Sequence, residues 1–305
     1  MKIGKAIREL DYRPNFVARS LVKKSSNIVG FIIRDITNSY YSEMIKGVEE
    51  FIKKNNLKYS LLLSNISKIS ENIEPYVEPL LSNKVAGILS TSENLDKEYM
   101  HYLKKIDIPI VFIDSYKKEA AFDFSYVTID DFKGAFKITD FLISKGHRDI
   151  CFICTTISSS FKEERVNGFK AAFKKNGIKC YKKNFLFLDD YGINEGYKAA
   201  QIIFKKNHKP TAILCINDET AYGVMNYCHK NNILIPENVS IAGFDDTKYS
   251  SLNFINLTTV NDPVKEIGHI SASILFDKIF NKNKIEVRKI IEPEIIIRNS
   301  IKSIS

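Results

Sequence analysis

The sequence predicts an α/β protein of two doubly wound parallel-sheet lobes, preceded by a short basic arm. Three observations carry that expectation. From Ile28 onward, short apolar runs alternate with amphipathic stretches, the pattern of successive βαβ units. The pattern runs through once and then begins again, so two similar lobes should meet across a cleft where strand ends face each other. At 305 residues and 44% hydrophobic, the chain can bury two such cores.

In the first set, Ile28–Ile33 is a strand and Tyr40–Lys54 a helix, with Met44, Ile45, Val48, Phe51 and Ile52 at helical spacing. Strands follow near Tyr59–Leu63, Val85–Leu89 and Ile110–Ile113, with helices between them. Val127–Ile129 leads to Asp130 or Asp131, either of which suits the N-cap of a helix that ends at Gly146. Ile150–Cys154 is the next buried strand. In the second set, helices at 161–176, 195–206 and 219–230 alternate with strands at 185–188, 212–216 and 240–244. After Thr258–Val260 come a helix over Val264–Phe280 and a last strand region, Lys289–Arg298.

Composition narrows the function classes. No apolar run is long enough to span a membrane, and no apolar segment follows the basic residues of the N-terminus as in a secretory signal. Five cysteines in a long chain suit a reducing cytoplasm better than a disulfide framework. The net charge of +9 is concentrated: residues 1 to 27 carry seven Lys/Arg against two acids. Such a local excess steers a protein toward phosphates without making it sequence-specific.

The basic arm contains a helix signal. Pro14 fits the first turn of a helix and disfavours helix in Arg13, so 15–22 should form a helix of little over two turns. That is too short to hold in water without a surface to form on. Arg19, Lys23 and Lys24 supply charge, and Leu21 is an apolar side chain suited to part a base step in the minor groove of DNA. The stretch Ala6-Ile7-Arg8-Glu9-Leu10-Asp11-Tyr12-Arg13-Pro14-Asn15, followed by Val17-Ala18-Arg19-Ser20-Leu21, resembles the end of the headpiece and the hinge helix of the LacI/GalR family of bacterial transcription regulators. The resemblance implies DNA contacts from Arg13, Asn15, Ala18, Arg19 and Leu21. It begins inside the third headpiece helix. The first two headpiece helices, the second of which enters the major groove in this family, are therefore expected to be missing from the sequence as it stands, leaving weak, salt-sensitive DNA binding.

The resemblance extends over the rest of the chain, to the family's periplasmic-binding-protein-like (type I) sensor domain. It rests on Gly146-His147-Arg148-Asp149-Ile150, Arg165-Val166-Asn167-Gly168-Phe169, Asn217-Asp218-Glu219 and Ile241-Ala242-Gly243-Phe244-Asp245-Asp246-Thr247. It implies three crossings between lobes, near Ser158, Asn261 and Asn283. The expected division is 1–27 headpiece remnant and hinge, 28–157 with 262–282 the N-terminal lobe, and 158–261 with 283–305 the C-terminal lobe. A sugar site needs rings for C–H faces and paired polar groups for hydroxyls. The resemblance implies Asn38, Tyr40 and Tyr41 at the first strand–helix turn, Asp114, Arg165, Tyr191 as a facing ring, Asn217, Asp245, and Asn261 at a crossing. Taken singly, Tyr40 and Tyr41 read more readily as core, Asp114 and Asp245 as loop caps, Asn217 as a helix cap, and Arg165 as an exposed ion pair. Ser115, where an arginine often follows the aspartate, departs from the sugar-binding pattern.

Other chemistry is not indicated. Cys151-Phe152-Ile153-Cys154 sits within a buried strand with no second pair, and the histidines 101, 147, 208, 229 and 269 are scattered, so no metal is expected. No Gly-rich phosphate loop or nucleophile elbow occurs, and neither an enzyme nor a cofactor is expected. The function implied is a cytoplasmic, homodimeric, ligand-responsive repressor. It would bind operator DNA through the hinge helix and a sugar-like effector in the cleft. The alternative is a sugar-binding sensor or solute-binding protein without DNA activity.

Overall fold

The computed structural model describes residues 26–66, 74–91, 102–114, 124–157 and 159–304. The expected hinge helix, with Arg13, Asn15, Ala18, Arg19 and Leu21, lies outside these residues, as do His101, Ser115 and Ser158. Strand β1 (Ile28–Ile33) is followed by α1 (Ser39–Lys54), β2 (Ser60–Asn65), α2 (Glu74–Ser82), β3 (Ile88–Ser90), β4 (Ile110–Ile113) and β5 (Ser125–Ile129). Then come α3 (Asp131–Ser144), β6 (Ile150–Thr155), α4 (Ser160–Lys175), β7 (Phe185–Leu188), α5 (Ile193–Phe204), β8 (Ala212–Cys215), α6 (Asp218–Lys230), β9 (Ser240–Ala242) and β10 (Thr259–Asn261). Helix α7 (Val264–Asn281), β11 (Arg288–Ile291) and β12 (Glu294–Ile296) follow.

Two parallel sheets organise these elements, one in the order β11-β5-β4-β3-β1-β2 and one in the order β7-β6-β8-β9, while β10 and β12 form an antiparallel pair. Their central strands are buried on both faces and therefore read as continuous apolar runs. In the first sheet, Val29, Phe31, Val111 and Ile113 face a core shared with Met44 and Val48 of α1 and Leu275 and Phe276 of α7. The alternate residues Ile32, Ile88 and Phe112 pack with Val77 and Leu80 of α2. In the second sheet, Phe152, Cys154 and Leu214 face Phe169 and Phe173 of α4, and Cys151, Ile153 and Cys215 face α5 and α6. Cys151 and Cys154, three apart on a strand, thus point to opposite faces and cannot share a ligand.

The expected lobe division does not follow the sheets at two of its boundaries. Strand β6, placed in the first lobe by a boundary at 157/158, is an interior strand of the second sheet, between β7 and β8. Helix α3 packs against α4, so the chain leaves the first sheet between Ile129 and Asp131. The later boundary at 282/283 also moves, because β11 pairs in parallel with β5 of the first sheet. The expected single strand Lys289–Arg298 breaks at Glu292–Pro293, and the chain crosses there to β12. Proline has no N–H to give a ladder, and Lys137 Nζ of α3 holds its carbonyl at 3.0 Å. The remaining crossing runs from Asn261 to Val264, after which α7 packs on α1 of the first lobe.

Each helix pair closes on glycine. A Cβ at Gly47 would stand 2.0 Å from Lys265 O, one at Gly168 2.2 Å from Phe132 O, and one at Gly223 2.0 Å from Ile193 O. Gly223→Ala would gain helix propensity, about 1 kcal/mol, but must push α5 and α6 apart. A net loss of about 1–3 kcal/mol is expected from urea denaturation; an unchanged midpoint would show the pair to be loosely packed.

Candidate functional site

The carboxyl ends of the strands in both sheets, and the helices that follow them, open onto one cavity between the lobes. Asn38, Tyr40 and Tyr41 reach it from the β1–α1 turn, Thr91 from β3, Asp114 from β4, and Ile129 and Asp131 from the first crossing. The second lobe contributes Phe161 and Arg165 of α4, Tyr191, Ile216, Asn217, Asp245 and, from the second crossing, Asp262. The space is narrow, about 60 Å³ for the centre of a water-sized sphere.

Helix starts place three of the polar groups. Asn38 caps α1 by accepting from Tyr40 N at 2.8 Å, and Asn217 caps α6 by accepting from Thr220 N at 2.9 Å. Both caps occupy the amide oxygen, which leaves the amide nitrogen to donate to a ligand. Asp130 caps α3, through Lys133 N at 2.9 Å, and so frees Asp131 to turn into the cavity.

Arg165 is the hinge of the electrostatics. Its Nε donates to Asp131 Oδ1 at 2.7 Å, its Nη1 donates to Ile216 O at 2.5 Å, and Asp245 Oδ1 lies 3.6 Å from Nη1. The guanidinium lies over the Phe244 ring, 3.5 Å from its centroid. Burial works against its charge, and Asp131 and Asp245 more than restore it. Opposite, Tyr40 donates its hydroxyl to Asp114, and Asp262 Oδ2 lies 3.0 Å from the same oxygen. Burial raises the Tyr40 phenol well above its ordinary value, and Asp114, Asp262 and Asp245 add to the rise. Burial likewise raises Asp245 and Asp262 well above the usual carboxylate range, and neighbouring carboxylates reinforce it against the pull of Arg165. Asp114 (φ 55°) and Asp245 (φ 110°) both hold backbone conformations that non-glycine residues adopt at a cost.

Comparison with known proteins identifies this architecture. The family of periplasmic binding proteins and the sugar-binding domain of LacI-type proteins matches residues 26–302. The chain belongs to the LacI family. The transcriptional regulator RegA of Clostridium saccharobutylicum is 32% identical to this LacI-family chain over 301 residues, 98% of this chain and 89% of RegA. Catabolite control protein A of Priestia megaterium is 32% identical over 286 residues, 93% of this chain and 84% of that protein. Among solved structures, a LacI-family regulator of Enterococcus faecium with bound ribose superposes with a TM-score of 0.80 at 25% identity. It covers 91% of this chain and all (100%) of that chain. RegA and the ribose-bound protein are transcriptional regulators, and residues 26–302 of this LacI-family chain match the family's sugar-binding domain. No helix among its described residues is long and apolar enough to cross a membrane.

Of the residues expected in the LacI-family cleft, Asn38, Tyr40, Tyr41, Asp114, Arg165, Tyr191, Asn217 and Asp245 line the cavity. Asn261 does not: its amide bonds Asp246 at 3.2 Å, and Asp262 faces the space instead. Neighbours on an extended chain point to opposite sides, and an identity of one residue type cannot settle that parity. Asp131, Phe161 and Thr91 also line the cavity, and the sequence pattern marks Asp131 only as a cap. A contact across the cleft mouth was also unforeseen. Arg34, just past β1, pairs with Asp190 Oδ1 at 2.7 Å and lies 4.1 Å from the centroid of the Tyr191 ring.

Two of the motifs support the site from behind. Asp218, fully buried, accepts from Thr247 N (2.9 Å), Ser250 Oγ (2.5 Å) and Thr259 Oγ1 (2.6 Å). A Cβ at Gly243 would lie 2.2 Å from its Oδ1. The stretch 217–219 therefore fixes the loop 243–247 that carries Asp245.

Proposed function

We propose that a sugar or sugar-like molecule held between the lobes is the effector of this regulator. Its binding favours one lobe arrangement and, through a homodimer in the cytoplasm, biases whether two copies of residues 15–22 pair as helices on operator DNA. Leu21 is then the minor-groove wedge, with Arg13, Asn15, Ala18 and Arg19 beside it. The observation that supports the reading is the convergence of Tyr40, Tyr191, Arg165, Asn217 and Asp245 on one cavity at strand ends of both lobes. The ribose of the Enterococcus faecium regulator supports the ligand class. The coupling required is of ordinary size, ~1–3 kcal/mol.

A sugar library screened by thermal shift tests this. A ligand is expected to raise Tm, and Tyr191→Ala, which removes one ring face, to weaken its binding about tenfold. Binding at full strength to Tyr191→Ala would place the ligand elsewhere. Arg165 is a poor control because the second lobe is built on it.

A further inference from the structure

We propose that the effector carries a basic nitrogen, as an amino sugar or another polyhydroxylated amine, bound as the ammonium between Asp114, Asp245 and Asp262. The proposal rests on the reading of the cleft as the effector site and adds the chemical class of its ligand.

Charge is the first ground. Among the described lining residues stand four carboxylates, Asp114, Asp131, Asp245 and Asp262, and one guanidinium, Arg165. Arg165 is committed to Asp131 and to Ile216 O, and reaches Asp245 only at 3.6 Å. The starts of α1, α3 and α6 face the same space and bring partial positive charge, roughly half a unit each. Helices α3 and α6, however, carry first-turn carboxylates of their own, Asp131, Asp218 and Glu219. An anionic ligand such as a sugar phosphate would find acidic groups on both lobes and, among the described lining residues, no cation other than the committed Arg165.

Hydrogen bonding is the second, independent ground. The Tyr40 hydroxyl has one proton and is within reach of both Asp114 and Asp262. Asp262 is 4% exposed, lines the cavity, and its buried Oδ1 has no donor among the described residues. Such an atom calls for a donor from the cavity. An ammonium brings three donors, no acceptor and a compensating charge, whereas a sugar hydroxyl brings one donor and no charge. Burial and mutual repulsion already hold Asp245 and Asp262 toward the protonated state, so an incoming ammonium would displace protons. Among the described residues, no group of acidic, His or Cys side chains is arranged to hold a metal ion instead.

The test titrates the full chain by calorimetry with matched sets: glucosamine, glucose and glucose 6-phosphate, the galactose series, and amino polyols with their neutral parents. An amine is expected to bind roughly tenfold to a hundredfold more tightly than its neutral parent, with Asp262→Asn closing most of that gap. Without ligand, Asp262→Asn is expected to melt above wild type at neutral pH, because a buried carboxyl crowded by other acids is replaced by a neutral amide of the same shape. A neutral or phosphorylated member that binds as tightly as its amine partner, and is weakened by Tyr191→Ala, overturns the inference and leaves the cleft reading intact. Binding unchanged by Tyr191→Ala removes both. Failure of every amine in the sets to bind overturns the inference.

Discussion

Arg165→Ala is expected to cost about 3–5 kcal/mol of folding stability, the loss typical of breaking a buried ion pair from one side. The guanidinium joins α4 to Asp131 at the start of α3 and to the carbonyl of Ile216 after β8, and covers the face of Phe244. Its removal leaves a carboxylate, a carbonyl and a ring face without their partner in one place. Asp131, whose proton affinity burial already raises against the pull of Arg165, would take up a proton. Arg165→Lys keeps the charge but reaches only one of the two acceptors, and an intermediate loss is expected. Guanidinium denaturation of both variants measures this, and an Arg165→Ala loss under about 1 kcal/mol would show that the second lobe does not depend on the pair.

Stability should fall as pH rises through neutrality, the reverse of the usual carboxylate behaviour. Burial pushes Asp218 up to about 7, against the pull of its three donors. Burial also raises Asp245 and Asp262 well above the ordinary carboxylate range. For a carboxyl raised in the folded state, the native chain binds more protons than the unfolded one, so stability declines from the unfolded value up through the folded one. His147 has the opposite sign on the acid side. It is fully buried between Thr211 Oγ1 and Lys302 O, and burial lowers its proton affinity below the ordinary 6.5. Its contribution is complete above 6.5 and is lost as pH falls below it. The window free of that opposition runs from about pH 6.5 to about pH 8, where urea midpoints should drop steadily and Asp218→Asn should flatten the slope. A rising midpoint across that window would mean the carboxylates are ionised in the folded chain.

The secondary structure was largely legible because parallel strands buried on both faces read as unbroken apolar runs, and β1 and β4 begin and end where those runs do. Pairing was not legible. The run Ile150–Thr155 looks the same whichever sheet it joins, and its place beside β8 is decided by α3 docking on α4 through Gly168. The site was legible where a motif carried it, as at Tyr40, Arg165 and Asp245. It was not where geometry decides, as with Asp262 rather than Asn261, or with Arg34 meeting Asp190 over 156 residues of chain. Nor did any local pattern announce the acid cluster, since positions 114, 131, 245 and 262 are neighbours only after both lobes have formed. The motifs themselves turned out to be joinery: Gly146 abuts Ile304 O, His147 ties Thr211 to Lys302, and Asp218 holds the 243–247 loop.

Two of the three strands of chain that pass between the lobes end in carboxylates of the cavity, Asp131 on the first and Asp262 on the second. The third lies against the first, with Asp130 N on Ile291 O at 2.9 Å and Glu292 paired to Lys133 and Lys137. The chain that crosses between the lobes and the chain that lines the cavity thus share residues. On the proposed reading, a molecule that neutralises those acids would act at the crossing itself, without a relay through the body of either lobe.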